Sequence, residues 1–252
     1  MTIVAVNRYI EDGDIVKAME SFRSISEGPG MTPEHANTAL RLVVALRKKG
    51  MYSEAREIYG SMKDQGMSEE VSGVRARTAF NLFESYRKSG MLKEAEEMLA
   101  AMAQLSTSAD VLLLRAMASV NMVEAYIATG EDQSARRVFE SMELLGESEE
   151  LNLVRATAGF SLLARAESQA ELARGKEIFS EMLGLGDYED VAIMQAKASV
   201  TMSRLSVAGG EPAFAKEIFA RLGELVELWP ELWTYRDEVF GVIYEATGET
   251  DF

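Results

Sequence analysis

The chain has 252 residues, 47% of them hydrophobic and 27% charged, with only 4 prolines, a balance that excludes a disordered or collagen-like chain and favours helices. Its 41 acidic residues against 26 basic ones leave a net charge of −15, which argues against a nucleic-acid partner, because such affinity rests mainly on Lys and Arg displacing counterions from phosphates. The absence of cysteine excludes disulfides, thiolate zinc sites and cysteine nucleophiles together and fits a reducing compartment.

The first ten residues lack the apolar centre of a leader, since Arg8 and Glu11 stand too close together, and no apolar run approaches about 18 residues. The expectation is a cytoplasmic protein with no membrane partner.

Met1 to Ile25 carries Tyr9, Gly13, Ala18 and Phe22 at the same offsets as Tyr126, Gly130, Ala135 and Phe139 much later in the chain. It is a shortened first copy of a repeat. Glu27-Gly28-Pro29-Gly30 breaks the helix, and Thr32-Pro33 reads as a helix cap followed by proline at the first helical position.

Full copies follow at a spacing of 40 residues. The glycine recurs as Gly50, Gly90, Gly130 and Gly210, and the alanine as Ala55, Ala95, Ala135 and Ala215. A ring or large apolar residue recurs as Tyr59, Leu99, Phe139, Phe179 and Phe219, and a methionine as Met62, Met102, Met142 and Met182. A fixed period of this length marks a solenoid of one repeated supersecondary unit.

Each copy reads as a long helix A and a shorter helix B. Ser68, Ser108 and Ser148 are expected to cap helix A, with Asp187 in that role in the next copy. Helix A then spans about 69–89, 109–129, 149–168 and 189–208, roughly 30 Å at ~1.5 Å per residue. Between its large apolar columns runs a small one, Ala79, Ser119, Gly159 and Ser199, where a neighbouring helix is expected to cross closely. Helix B puts its Ala, Phe and Met columns on one face. It is expected to stop at Gly66, Gly146 and Gly186 in left-handed conformation.

The fourth full unit departs from the pattern, with Ala170 where glycine stands elsewhere and Gly175 where alanine stands. A non-glycine bend predicts altered local geometry and a change of curvature there. The fifth helix B, about 212–227, begins with Pro212. Pro230 to Gly248 looks like another helix A without its partner, the usual cap of a solenoid. The units are approximately 1–30, 31–66, 67–106, 107–146, 147–186 and 187–228, with a cap helix over 229–252, all in a single helical-repeat domain over 1–252.

The columns Tyr126, Gly130, Ala135 and Phe139 resemble the second half of a tetratricopeptide repeat. That resemblance spans nearly the whole chain, although the usual unit is about 34 residues and this one is 40. It implies an all-α fold, a right-handed α–α superhelix whose concave side, lined by A helices, holds a peptide or a helix of another protein.

Gly50 to Gly66 also looks like the second helix of a pentatricopeptide repeat, a single-stranded RNA reader. Ten residues before the glycine, where that family carries a small polar base-reading residue, this chain has Phe80, Val120, Phe160 and Val200. With the acid excess, that predicts no base-by-base RNA reading. Asn81 and Asn121 partly resemble the carboxylate clamp of some tetratricopeptide modules, but the lysines are missing and no clamp is assigned.

In the tetratricopeptide pattern three columns face the groove: Phe80, Val120, Phe160 and Val200, beside Arg77, Met117, Thr157 and Lys197, and Glu84, Glu124, Ala164 and Arg204. An apolar stripe flanked by varied charge suits an amphipathic helix, while the same stripe reads equally as core. Arg75, Arg115 and Arg155, ending in Gln195, either bind anions bidentately or pack between units, each paired with a glutamate of its neighbour. Trp229, Trp233, Tyr235, Phe240 and Tyr244 read as cap packing or a docking patch.

Catalytic sets are missing. His35 is the single histidine and reads as a surface residue, the acids Glu143, Glu147, Glu149 and Glu150 lack calcium-loop spacing, and no phosphate-binding glycine motif occurs. The reading is a non-enzymatic scaffold without cofactor or metal that binds a protein or peptide of basic or amphipathic character. The alternative is a self-assembling or ligand-sensing module whose ends mediate homo-oligomers.

Overall fold

The computed structural model describes residues 2–26, 31–62 and 68–252. The expected break at Glu27 to Gly30 and the expected stop at Gly66 lie outside them. The described residues form thirteen α-helices and two 3₁₀ turns, with no strand. They divide into two compact units, Met1–Ala118 and Ser119–Phe252.

The first unit contains α1 (Ile3–Glu11), α2 (Ile15–Ser26), α3 (Pro33–Lys48), α4 (Tyr52–Ser61), α5 (Glu69–Lys88), α6 (Leu92–Met102) and the start of α7 (Ala109–Thr129). Thr32 caps α3 by accepting the His35 amide, and Ser68 caps α5 by accepting that of Val71. Each A helix packs on its own B helix and on the A helix beside it, α3 against α4 and α5, and α5 against α6. Phe22, Leu42, Leu46, Ile58, Leu82, Phe83 and Tyr86 are buried along this seam. The Arg47 Nη1 donates to the Asn81 carbonyl at 3.0 Å, tying α3 to α5.

The second unit takes up the rest of α7, then α8 (Asp132–Ser141), a 3₁₀ turn (Met142–Leu145), α9 (Glu149–Ser168), α10 (Leu172–Leu183), α11 (Glu189–Ala208), α12 (Pro212–Leu228), a second 3₁₀ turn (Pro230–Leu232) and α13 (Trp233–Thr247). Here α9 packs on α10 and α11, and α11 on α12 and α13. The lone helix α13 buries Val239 and Ile243 against Ala192, Ala196, Val200 and Leu222, which is the expected cap. The small column is a close crossing. A methyl placed on Gly159 of α9 meets the Met182 Cγ at 2.8 Å and the Phe139 Cζ at 3.3 Å.

The chain is thus an all-α helical-repeat solenoid, in agreement with the repeat period. Among the described residues α7 alone has the length and apolarity to cross a membrane, with a mean hydropathy of 1.4 in its best window, 44% of it buried. It carries Arg115 and Glu124 in the columns of Arg75 and Glu84, the pattern of a repeat helix A.

Two local expectations are corrected. Helix α11 is preceded by Tyr188, not Asp187, as its N-cap, without a side-chain cap bond, so the cap stays 40 residues after Ser148. Gly146 has φ 91° and ψ −170°, an extended region reserved for glycine rather than the left-handed helical one. There the chain leaves the turn almost straight instead of curling back.

The irregular bend also behaves differently from expectation. Ala170 adopts φ 56°, its amide donates to the Glu167 carbonyl at 3.0 Å, and the Glu171 amide donates to that of Ala166 at 2.9 Å. At Gly130 the matching bonds are Gly130 to Ile127 and Glu131 to Tyr126. The bend therefore keeps its usual form, with a side chain in a conformation that crowds Cβ against the following carbonyl at about 1–2 kcal/mol. Ala170→Gly is expected to stabilise the protein by about 0.5–1 kcal/mol, the relief exceeding glycine's extra entropy cost in the unfolded chain. Urea unfolding checks this, and a destabilised variant would count against strain at that bend.

Candidate functional site

The sequence-derived groove residues fall in both units. In the first, Arg77 is exposed on α5, Phe80 is half-buried and stacked on Phe83 at 6.1 Å, and Met117 is exposed. Burial alone raises the Glu84 carboxyl, but hydrogen bonds from Arg87 at 3.0 Å and Lys88 at 3.2 Å overcome it and hold it below the ordinary value. In the second unit Glu124 is exposed, Phe160 and Lys197 are half-buried, and the Thr157 hydroxyl donates to the Leu153 carbonyl. Arg204 pairs with Glu238. Val120 and Val200 are buried as core, whereas the phenylalanines of that column keep an edge to solvent.

The Arg75 column turns inward. Gln195 is buried and donates its Nε2 to the carbonyls of Met182 at 3.1 Å and Gly186 at 3.2 Å, satisfying the end of α10. The Arg75 guanidinium lies 5.3 Å over the Tyr59 ring, and burial holds Arg115 below its ordinary pKa. This column joins helix B to the following helix A.

Ion pairs leading from helix B to the following copy use another column, missed in the sequence reading: Arg56, Arg136, Lys176 and Lys216, with Glu96 in the one remaining place. Arg56 pairs with Glu97, Arg136 with Glu181, Lys176 with Glu211 and Lys216 with Glu249. A column of three or four cations with acids in the next copy was the available signal.

Charge is divided very unequally. Residues 1–118 hold 15 basic and 16 acidic residues, and residues 119–252 hold 11 and 25. The first unit is thus nearly neutral, and an exposed stretch of α3 and α5 is basic. Lys48, Lys49, Arg77 and Lys88 are exposed there with Arg41, and Arg87 is half-buried. The Arg41 Nη2 meets Glu11 at 2.9 Å, and the Lys49 Nζ donates to the Gly13 carbonyl at 3.0 Å. Among the described residues, Lys48 and Arg77 have no carboxylate in ion-pair range. Lys48 and Lys88 stand 40 apart, and the later copies of their column are Ala128, Ser168 and Ala208.

A family model for the PPR repeat matches residues 41–67 and 81–106. Both stretches lie in the near-neutral unit. No curated protein and no solved structure matches the chain.

The PPR match overturns the exclusion of nucleic acid, because this repeat is an RNA-binding module. The error has a physical origin. The net −15 was averaged over the whole chain, whereas phosphate binding depends on local charge within a Debye length of about 10 Å. The match marks the protein as a helical-repeat binding scaffold of a kind that is typically non-enzymatic. Among the described residues no group of His, Asp and Glu side chains is placed to hold a metal.

Proposed function

We propose that the first unit binds single-stranded RNA along the exposed face of α3 and α5. Lys48, Lys88 and Arg77 hold phosphates, and bases rest on the half-exposed Leu40 and Phe80. The observation that carries this reading is a coincidence: both PPR matches fall in the one unit whose acids are balanced by cations. Leu40 and Phe80 have no hydrogen-bonding groups with which to read base edges. Binding is therefore driven by phosphate contacts and stacking, and it tolerates different sequences.

Fluorescence anisotropy with labelled homopolymer RNAs tests this. Three phosphate contacts on a single strand predict a salt slope of about −2, hence roughly 20-fold weaker binding at 200 mM than at 50 mM salt. Lys48→Glu combined with Lys88→Glu is expected to weaken binding by about tenfold and flatten that slope, while Lys93→Glu on α6 leaves it unchanged. Equal affinity for the double variant and the native protein would remove this face from consideration.

A second reading concerns the second unit, with its 25 acids against 11 basic residues and the half-exposed Phe160 and Phe240. Such a surface suits a basic amphipathic helix. The same assay with a labelled peptide of that character, run on Glu124→Lys, separates the two: this change weakens only the peptide.

A further inference from the structure

Helix α13 exposes a stripe that α3, α5, α7, α9 and α11 bury. Tyr244 stands four residues before Gly248 as Tyr126 stands four before Gly130, and in that register Trp233, Asp237, Phe240 and Tyr244 share one face of α13. The Tyr244 place is held elsewhere by Leu46, Tyr86, Tyr126, Ala166 and Ser206, none more than 3% exposed. The Phe240 place is held by Leu42, Leu82, Met122, Leu162 and Met202, all fully buried. On α13, by contrast, Trp233 is 59% and Tyr244 50% exposed, and Phe240 is half-buried.

The reason is visible at Gly159, which holds the Asp237 place on α9. A methyl there meets Phe139 of the preceding helix B and Met182 of α10, the helix B of its own copy. The stripe thus lies between two B helices. On α13 it has α12 on one side, and among the described residues no helix follows to cover the other. A helix that only closed the core would carry a polar outer face, whereas this one carries three rings.

Charge decides what fits there. The small column Ala39, Ala79, Ser119, Gly159 and Ser199 becomes Asp237, an exposed carboxylate with no ion-pair partner among the described residues. Residues 212–252 set nine acids against Lys216, Arg221 and Arg236. Of these cations, Lys216 is joined to Glu249, and the Arg236 guanidinium lies 4.5 Å over the Phe219 ring. Phe252 packs on Phe219 and Phe240, with ring centroids 5.2 and 5.4 Å apart, and takes up part of the stripe. The remainder is open as a cleft of about 350 Å³ lined by Phe219, Val226, Trp233, Arg236, Asp237 and Phe240.

We infer that this cleft takes a basic amphipathic helix of another protein in the place of a helix B, with a large apolar or aromatic side chain in the cleft and a lysine or arginine on Asp237. The inference rests on the peptide reading of the second unit and locates it. A second copy of the chain is disfavoured, because two such acidic ends repel. The spacing within the partner also follows. Met182, which meets the Gly159 place, stands three residues after Phe179, so the incoming helix carries its cation three residues after its ring.

Fluorescence anisotropy on the full chain tests this with a labelled alanine–lysine peptide of about 16 residues, long enough to form a helix, bearing a phenylalanine and, three positions later, a lysine on one face. Alanine for that phenylalanine, or glutamate for that lysine, is expected to weaken binding at least fivefold. Asp237→Lys is expected to weaken the lysine peptide at least tenfold and to bind the glutamate peptide more tightly than the native chain does. Trp233→Ala is expected to weaken both about fivefold. Both replaced side chains are exposed, so the core stays intact. Glu124→Lys, which acts through the field of the acidic surface, costs about twofold.

If the lysine peptide binds and neither Asp237→Lys nor Trp233→Ala weakens it, the peptide reading stands and this placement falls. If no peptide binds the native chain, placement and peptide reading fall together. If light scattering shows a native dimer that Trp233→Ala dissolves, a second copy covers the stripe and the inference is overturned.

Discussion

Gly175→Ala is expected to destabilise the second unit by about 2–3 kcal/mol, the cost of overpacking a tight core, and adding Leu205→Ala is expected to recover most of that loss. Gly175 sits on α10 in the column that reads Ala55, Ala95, Ala135 and Ala215 in the other full copies, all fully buried. A methyl group there meets the Leu205 Cδ2 at 2.5 Å and the Met202 Sδ at 3.3 Å, and the first of these distances is far inside contact. Leu205, itself 2% exposed, is the exception in its own column, which reads Ala45, Ser85, Ala125 and Arg165 in the earlier copies. One position has lost a methyl where the facing position has gained an isobutyl group. Leu205→Ala alone leaves a void and costs about 2–4 kcal/mol. Neighbouring sites that share one space do not add, so the double variant should be more stable than either single one. Urea unfolding of all three decides it, and simple additivity would show that the two side chains do not share this space.

Phe139→Ala is expected to cost about 3–5 kcal/mol. The ring on α8 is 4% exposed, it lies against the Gly159 crossing on α9, and the Arg136 guanidinium sits 5.6 Å from its centroid. Truncation therefore empties space that the backbone of α9 cannot close, because α9 is already held in contact with Met182 of α10. Phe179, in the same column and 3% exposed, should respond alike. Changes below about 1 kcal/mol at both positions would mean that this column is not the seam between helix pairs.

The helices were legible in the sequence because repetition supplies what one window lacks. Four aligned copies fixed α5, α7, α9 and α11 to within a residue of their observed ends, and the lone cap helix followed from Tyr244 and Gly248. What escaped were features set by pairs of residues far apart in sequence. The Gly175 departure was visible, yet its partner Leu205 lies in another helix and another column. Ala170 was visible too, but a left-handed bend is held by backbone hydrogen bonds from Ala170 and Glu171, and these do not depend on which side chain is present.

The binding surface was less legible for a different reason. The columns expected to face a groove are split between core and solvent, with Val120 and Val200 buried while Arg77 and Glu124 are exposed. Periodicity fixes which face of a helix is which, but it does not say how deeply a border column sinks. The distribution of charge, in contrast, is legible in each half of the sequence and is concealed in a single total.

The ion pairs of the second unit carry one more consequence. In the second unit Arg136, Arg165, Arg174, Lys176, Arg204 and Lys216 are each already joined to a carboxylate. More than half of its scarce cations are thus neutralised at home, and the carboxylates left over set the potential that an approaching molecule meets. An approaching polyanion is therefore repelled at the second unit before any contact forms.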